Sequence, residues 1–138
     1  MHRILIVEDD DNARRGLKEL LTSEGYVVAA VEDGVAARAQ LQKQHFDILL
    51  CDYCLPGENG VELCSRFLRT HPDMAVYLIT AYSNPEISRE ALACGVRRVF
   101  KKPIILDALF DELEAVARRI QTHTRQKETI HQGQYINC

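Results

Sequence analysis

Residues 48–60 read Ile48-Leu49-Leu50-Cys51-Asp52-Tyr53-Cys54-Leu55-Pro56-Gly57-Glu58-Asn59-Gly60. Four apolar residues lead into one aspartate and then into a loop punctuated by proline and glycine. A run this apolar is not a surface segment; it reads as a strand buried on both faces, as in a parallel sheet. Asp52 therefore stands at the carboxyl end of such a strand.

Working outward, short apolar runs recur at Ile4-Leu5-Ile6-Val7, Val27-Val28-Ala29-Ala30-Val31, Val76-Tyr77-Leu78-Ile79 and residues 96–100. Amphipathic stretches separate them. Ala13, Leu17, Leu20 and Leu21 fall on one helical face in the first stretch, as do Leu109, Leu113, Val116, Ala117 and Ile120 in the last. Gly25 and Gly95 sit where helices need a left-handed end, and Asn84-Pro85 reads as a cap followed by a first-turn proline. Strand and helix alternate five times, which predicts an α/β doubly wound domain: a five-stranded parallel sheet with helices on both faces. Right-handed crossovers in the flavodoxin-like order 2-1-3-4-5 set the first and third strands side by side, with the ligand crevice at their carboxyl ends. Glu8, Asp9 and Asp52 map there.

The chain has 138 residues, enough for one core, with 46% hydrophobic and 27% charged residues and a net charge of −3. That balance gives no reason to expect direct nucleic-acid binding. With no apolar run of spanning length, no membrane association is expected, and a cytoplasmic location fits best. Cys51, Cys54, Cys64, Cys94 and Cys138 are odd in number and read as reduced, mostly buried thiols rather than a disulfide framework. Beyond Ile120 the periodicity fades. Residues 1–121 are expected to form the domain and 122–138 a helix extension, linker or flexible tail.

Glu8-Asp9-Asp10-Asp11 alone reads as a solvated turn, with Asp10 or Asp11 capping the first helix. Asp52 changes that weighting, because the predicted sheet carries it toward Glu8 and Asp9. Two unit charges ~4 Å apart repel by about 4 kcal/mol at an effective dielectric near 20, and a cation relieves this. Carboxylates, a carbonyl and waters suit Mg²⁺ (or Mn²⁺), especially beside a phosphate. Asp52 is then the expected nucleophile toward a phosphoryl group, with Lys102 balancing charge and the Thr80 hydroxyl bonding a phosphoryl oxygen.

Four motifs in order, ILIVEDD, ILLCDYCLPGENG, LITAY and FKKP, resemble the receiver domain of two-component response regulators (CheY-like) over about residues 1–121. The resemblance implies that Asp9 ligates the metal directly and Glu8 through water, that Asp52 is both ligand and phosphoacceptor, and that the Cys54 backbone carbonyl completes the protein ligands. It implies that Thr80 and Lys102 respond to the phosphoryl group and that Lys102-Pro103 is often a cis peptide. It also implies a sensor histidine kinase or phosphotransfer protein as donor, and a downstream effector protein or fused output domain as target. Receivers catalyse their own phosphorylation and are not conventional turnover enzymes.

The chain departs from the pattern at Val99, where many receivers carry an aromatic switch residue. Phe100 points to the opposite face by strand alternation, so a muted or differently built switch is expected. Cys54 and Tyr82 offer little general-base capacity to a hydrolytic water, which predicts slow self-dephosphorylation, whereas the small Ala81 keeps the pocket open to donors. Ile104-Ile105-Leu106 is read as core, with a dimer surface on the last helix as the alternative, and the fourth and fifth helices are the candidate face for a homodimer. Arg97, Arg98 and Lys101 form either a docking face or a solvated strand edge. The five histidines are read as surface residues. Rival readings are a Mg-dependent aspartyl-phosphate phosphatase, which usually needs a second carboxylate where Cys54 stands, and a phosphorylation-independent interaction module, supported only by Val99.

Overall fold

A computed structural model describes residues 2–120, which fall into two compact units divided between Ile104 and Ile105. The reading of 122–138, with His123, His131 and Cys138, lies outside the described residues. In the first unit the order is β1 (Arg3–Val7), α1 (Asp11–Ser23), β2 (Val27–Val31), α2 (Gly34–Lys43), β3 (Ile48–Asp52), β4 (Cys54–Leu55), β5 (Glu58–Asn59), α3 (Gly60–Thr70), β6 (Ala75–Thr80), α4 (Pro85–Ala93) and β7 (Arg98–Lys101). The sheet runs β2-β1-β3-β6-β7 with every pairing parallel. Counting only these five strands, this is the expected order 2-1-3-4-5.

Alternation decides which helix covers which face. Leu5, Val7, Leu49, Cys51, Val76 and Leu78 pack in one cluster with residues of α2, α3 and α4. Ile4, Ile6, Ile48 and Leu50 point the other way and are also buried; α1 lies against β1 and β2 on that side. β3 is buried at all five positions, as its sequence demands. The edge strand β2 is only partly covered.

The helix ends follow local chemistry. Asp10, Asp33, Asn59 and Asn84 are N-caps, each side-chain oxygen accepting a backbone N–H of the first turn. Gly25 and Gly95 take φ of +97° and +109°, which a Cβ would penalise.

Several expectations require correction. The apolar face of α1 is narrower than its pattern: Leu21 is buried and Leu17 half-buried, while Ala13 and Leu20 are exposed, because Leu20 is turned about 100° from Leu21. β7 begins at Arg98 rather than Val96. The 54–59 loop contains a small antiparallel hairpin, Cys54 opposite Asn59. Cys51 and Cys64 are buried, Cys94 is half-buried and Cys54 is exposed; all four thiols are free. His2 is not a simple surface residue: it is half-buried, with Nδ1 3.7 Å from Asp47, whose other oxygen meets His45 Nε2 at 3.0 Å.

The second unit contributes helix α5 over residues 106–120, the last described. Leu109, Leu113 and Val116 are buried, which matches the i, i+4, i+7 stripe. Ile105 and Leu106 are exposed, so the core reading of the apolar trio fails there. Ile105 supplies a backbone carbonyl to Leu109 N–H at 3.1 Å, as a residue entering a helix does, while its side chain meets water. No described helix is long and apolar enough to cross a membrane.

Candidate functional site

Register alone assembles the site. Val7 pairs with Cys51, so the next residues, Glu8 and Asp52, leave adjacent strands together. Asp52 pairs with Ile79, which puts Thr80 one residue farther along the neighbouring strand. Thr80 in turn pairs with Lys101, one residue before Lys102. Backbone bonds fix the strand ends: Glu8 N–H to Val31 carbonyl at 3.0 Å, Tyr53 N–H to Ile79 carbonyl at 2.8 Å, and Lys102 N–H to Thr80 carbonyl at 2.8 Å.

Glu8 and Asp52 keep only 6% of their exposure each. Lys102 Nζ lies 2.7 Å from Glu8 Oε1 and 3.3 Å from Asp52 Oδ1, so one ammonium bridges both carboxylates. Burial, reinforced by the hydrogen bond and charge of Glu8, pushes the Asp52 carboxyl up to about 6 against the pull of Lys102. For Glu8 burial acts in the same upward sense, but the hydrogen bonds with Lys102 and Asp52 and the charge of Lys102 outweigh it and hold this carboxyl low. Burial works against the charged form of Lys102 too, yet its two anionic partners win and raise its pKa. The pair therefore divides roles: Glu8 holds the lysine, and Asp52 keeps the more basic oxygen.

Asp9 completes the acidic group from the exposed rim. Carboxylate oxygens of Glu8, Asp9 and Asp52 lie within 4.8 Å of one another. Three hard anionic donors against one ammonium leave an excess of negative charge, and this donor set fits Mg²⁺ or Mn²⁺. Asp10 caps α1, accepting Ala13 N–H at 2.8 Å, while its own N–H reaches Glu8 Oε2 at 3.3 Å.

Thr80 is buried, and its Oγ1 accepts the Tyr82 N–H at 3.0 Å, leaving the hydroxyl proton to donate elsewhere. Ala81 is exposed, as is Tyr82, whose ring meets Tyr53 edge-on at 6.4 Å between centroids. Hydrogen bonding to Cys54 raises the Tyr82 phenol above its ordinary value. The Lys102-Pro103 peptide is cis. Val99, opposite Leu78, packs against the cluster beneath α2–α4. Phe100 faces the other side against Tyr77, 5.8 Å between ring centroids, with the Arg98 guanidinium 4.7 Å above it. Arg97, Arg98 and Lys101 are exposed.

Sequence reasoning missed two residues here. A Cβ on Gly60 would fall 2.3 Å from the Asp52 carbonyl and 2.9 Å from Tyr53 Cα, so the start of α3 is pressed against the end of β3. Arg14, three residues after Asp11, donates to the Glu8 carbonyl at 2.9 Å and the Asp9 carbonyl at 3.3 Å. An Asp-to-Arg spacing of three on one helix face was the available signal for it.

The family model for the response regulator receiver domain matches residues 4–114. The chain is 34% identical over 114 residues to the response regulator receiver protein CpdR of Brucella abortus, covering 83% of this chain and 95% of that protein. It is 35% identical over 119 residues to response regulator RppA of Synechocystis, covering 85% of this chain and 51% of that longer protein. Among solved structures, response regulator TrrA of Thermotoga maritima, in complex with Mg²⁺-BeF, superposes with a TM-score of 0.76 at 29% identity, over 84% of this chain and 99% of that one.

Proposed function

The chain belongs to the response regulator receiver domain family, and from that premise we propose that Asp52 accepts a phosphoryl group from a phosphohistidine on a sensor kinase or phosphotransfer protein. The observation that carries the reading is the buried Asp52 carboxylate, crowded by Glu8 and Asp9 and bridged to Glu8 by Lys102. An Asp52 oxygen forms the new P–O bond as the P–N bond to the donor imidazole breaks, and the departing nitrogen takes up a proton.

Glu8, Asp9, Asp52 and the Cys54 backbone carbonyl would hold Mg²⁺ or Mn²⁺. When bound, the ion supplies positive charge against the oxygens of the transferred group. Lys102 turns part of its ammonium from Glu8 to the new phosphoryl oxygens, and the Thr80 hydroxyl donates its free proton to one of them. Tyr82, with a phenol held above its usual value by Cys54, is a poor general base, and the thiol of Cys54 adds no carboxylate. The aspartyl phosphate is therefore long-lived. Val99 lacks the ring that would follow Thr80 inward, so the response is built differently on β7.

We assign the receiver to residues 1–121, acting in the cytoplasm on an effector protein or a fused output domain. The decisive experiment is incubation with Mg²⁺ and a small acyl-phosphate donor, followed by intact-mass measurement. One phosphoryl increment on the parent and none on Asp52→Asn is expected. An unmodified parent, or an equally modified Asp52→Asn, overturns the assignment.

A further inference from the structure

Asp9 is the one member of the acidic trio on the exposed rim, so burial does not fix its direction. Its neighbours do. The Arg14 side chain is largely buried, retaining 17% of its exposure. One guanidinium nitrogen, Nη1, donates to the carbonyls of both Glu8 and Asp9, and the other pairs with Asp11 Oδ1. Those two carbonyls belong to the peptide groups on either side of the Asp9 Cα. Fixing both peptide planes fixes Asp9 φ and ψ, and with them the direction in which its side chain leaves the backbone.

We infer that Arg14 is a positioning residue for the divalent cation, holding Asp9 in a ligating orientation before the ion arrives. The inference rests on the proposal that this acidic group binds Mg²⁺. It makes a prediction opposite in sign to simple electrostatics. Removing a positive charge beside a cation site should tighten binding, whereas loss of a second-layer clamp loosens it, typically by tenfold or more.

The test is calorimetric titration of the full chain with Mg²⁺ alone, comparing the parent with Arg14→Met, Arg14→Lys and Arg15→Met. Arg15 is the exposed neighbouring arginine and serves as the charge control. Arg14→Met is expected to weaken Mg²⁺ binding about tenfold, Arg14→Lys to fall between it and the parent, and Arg15→Met to leave affinity unchanged or slightly higher. In the metal-free protein, amide hydrogen exchange at Asp9 and Asp10 should accelerate in Arg14→Met, with exchange in β3 unchanged as evidence of intact folding. At saturating Mg²⁺ the acyl-phosphate reaction should recover to within about twofold, because the clamp acts on affinity rather than on the transfer step. Unchanged or tighter Mg²⁺ binding in Arg14→Met, with a parent that binds, overturns the role of Arg14 alone. A parent that binds no Mg²⁺ overturns the metal reading and this inference with it.

Discussion

Asp52 couples pH to stability and, under the proposed chemistry, to metal binding. With its carboxyl pushed from 3.8 to about 6, the folded protein takes up this proton before the unfolded chain does. The group's stabilising contribution is fully present below the lower value and is lost as pH rises through the upper one. Glu8, held low, has the opposite sign: its contribution is present at neutral pH and lost on acidification. Asp52→Asn should therefore be more stable than the parent in metal-free buffer at pH 7, by on the order of 1 kcal/mol. Its denaturation midpoints should also vary less with pH near 6. The same proton competes with the cation, so Mg²⁺ affinity of the parent should fall as pH drops below about 6. Lys102→Met should tighten Mg²⁺ binding by removing a competing cation, yet slow acyl-phosphate transfer at least tenfold, because the charge facing the phosphoryl oxygens is gone. Gly60→Ala is a packing prediction: a methyl driven into the Asp52 carbonyl should cost about 2 kcal/mol or more in urea unfolding. Acidic residues after apolar runs made Asp52, Glu8 and Asp9 legible in the sequence. Gly60 was not, and for Arg14 the spacing from Asp11 revealed only the ion pair, since the contacts that matter most at both positions are to backbone groups that no side-chain pattern reveals.

At the scale of elements, strand identity was readable where the apolar run was long and the flanks were polar. β3 is the clearest case: Ile48 to Cys51 admit no exposed face, and none exists. Reading was poorer where propensity and packing part company. Ile105 and Leu106 are apolar but sit where the chain enters α5, and the hairpin of β4 and β5 is too short to leave a periodic signature. The cap at Asn84 was legible because Asn directly before a helix-starting proline has one common use. Asn59→Ala should destabilise the protein by about 1 kcal/mol, measured by thermal unfolding. Asn59 also faces Cys54 in the hairpin, so the variant should bind Mg²⁺ more weakly if the Cys54 carbonyl is a ligand.

For the whole sheet, hydrogen exchange should be graded from centre to edge. Amides of β3, flanked by β1 and β6 and buried throughout, should exchange only by global unfolding, and those of β2, with its partly exposed face, by smaller openings. Slow exchange in β2 matching that in β3 would contradict this. The proposed acceptor thus stands on a strand paired on both sides and buried at all five positions. A strand anchored on both sides cannot itself travel when its terminal side chain gains charge. In the proposed switch, one way out besides β7 is residues 81–84, the exposed connection that begins where Thr80 ends and closes on the Asn84 cap. Sensitivity to a partner is therefore expected to be tuned in that four-residue link, where substitutions alter signalling while the chemistry behind it stays the same.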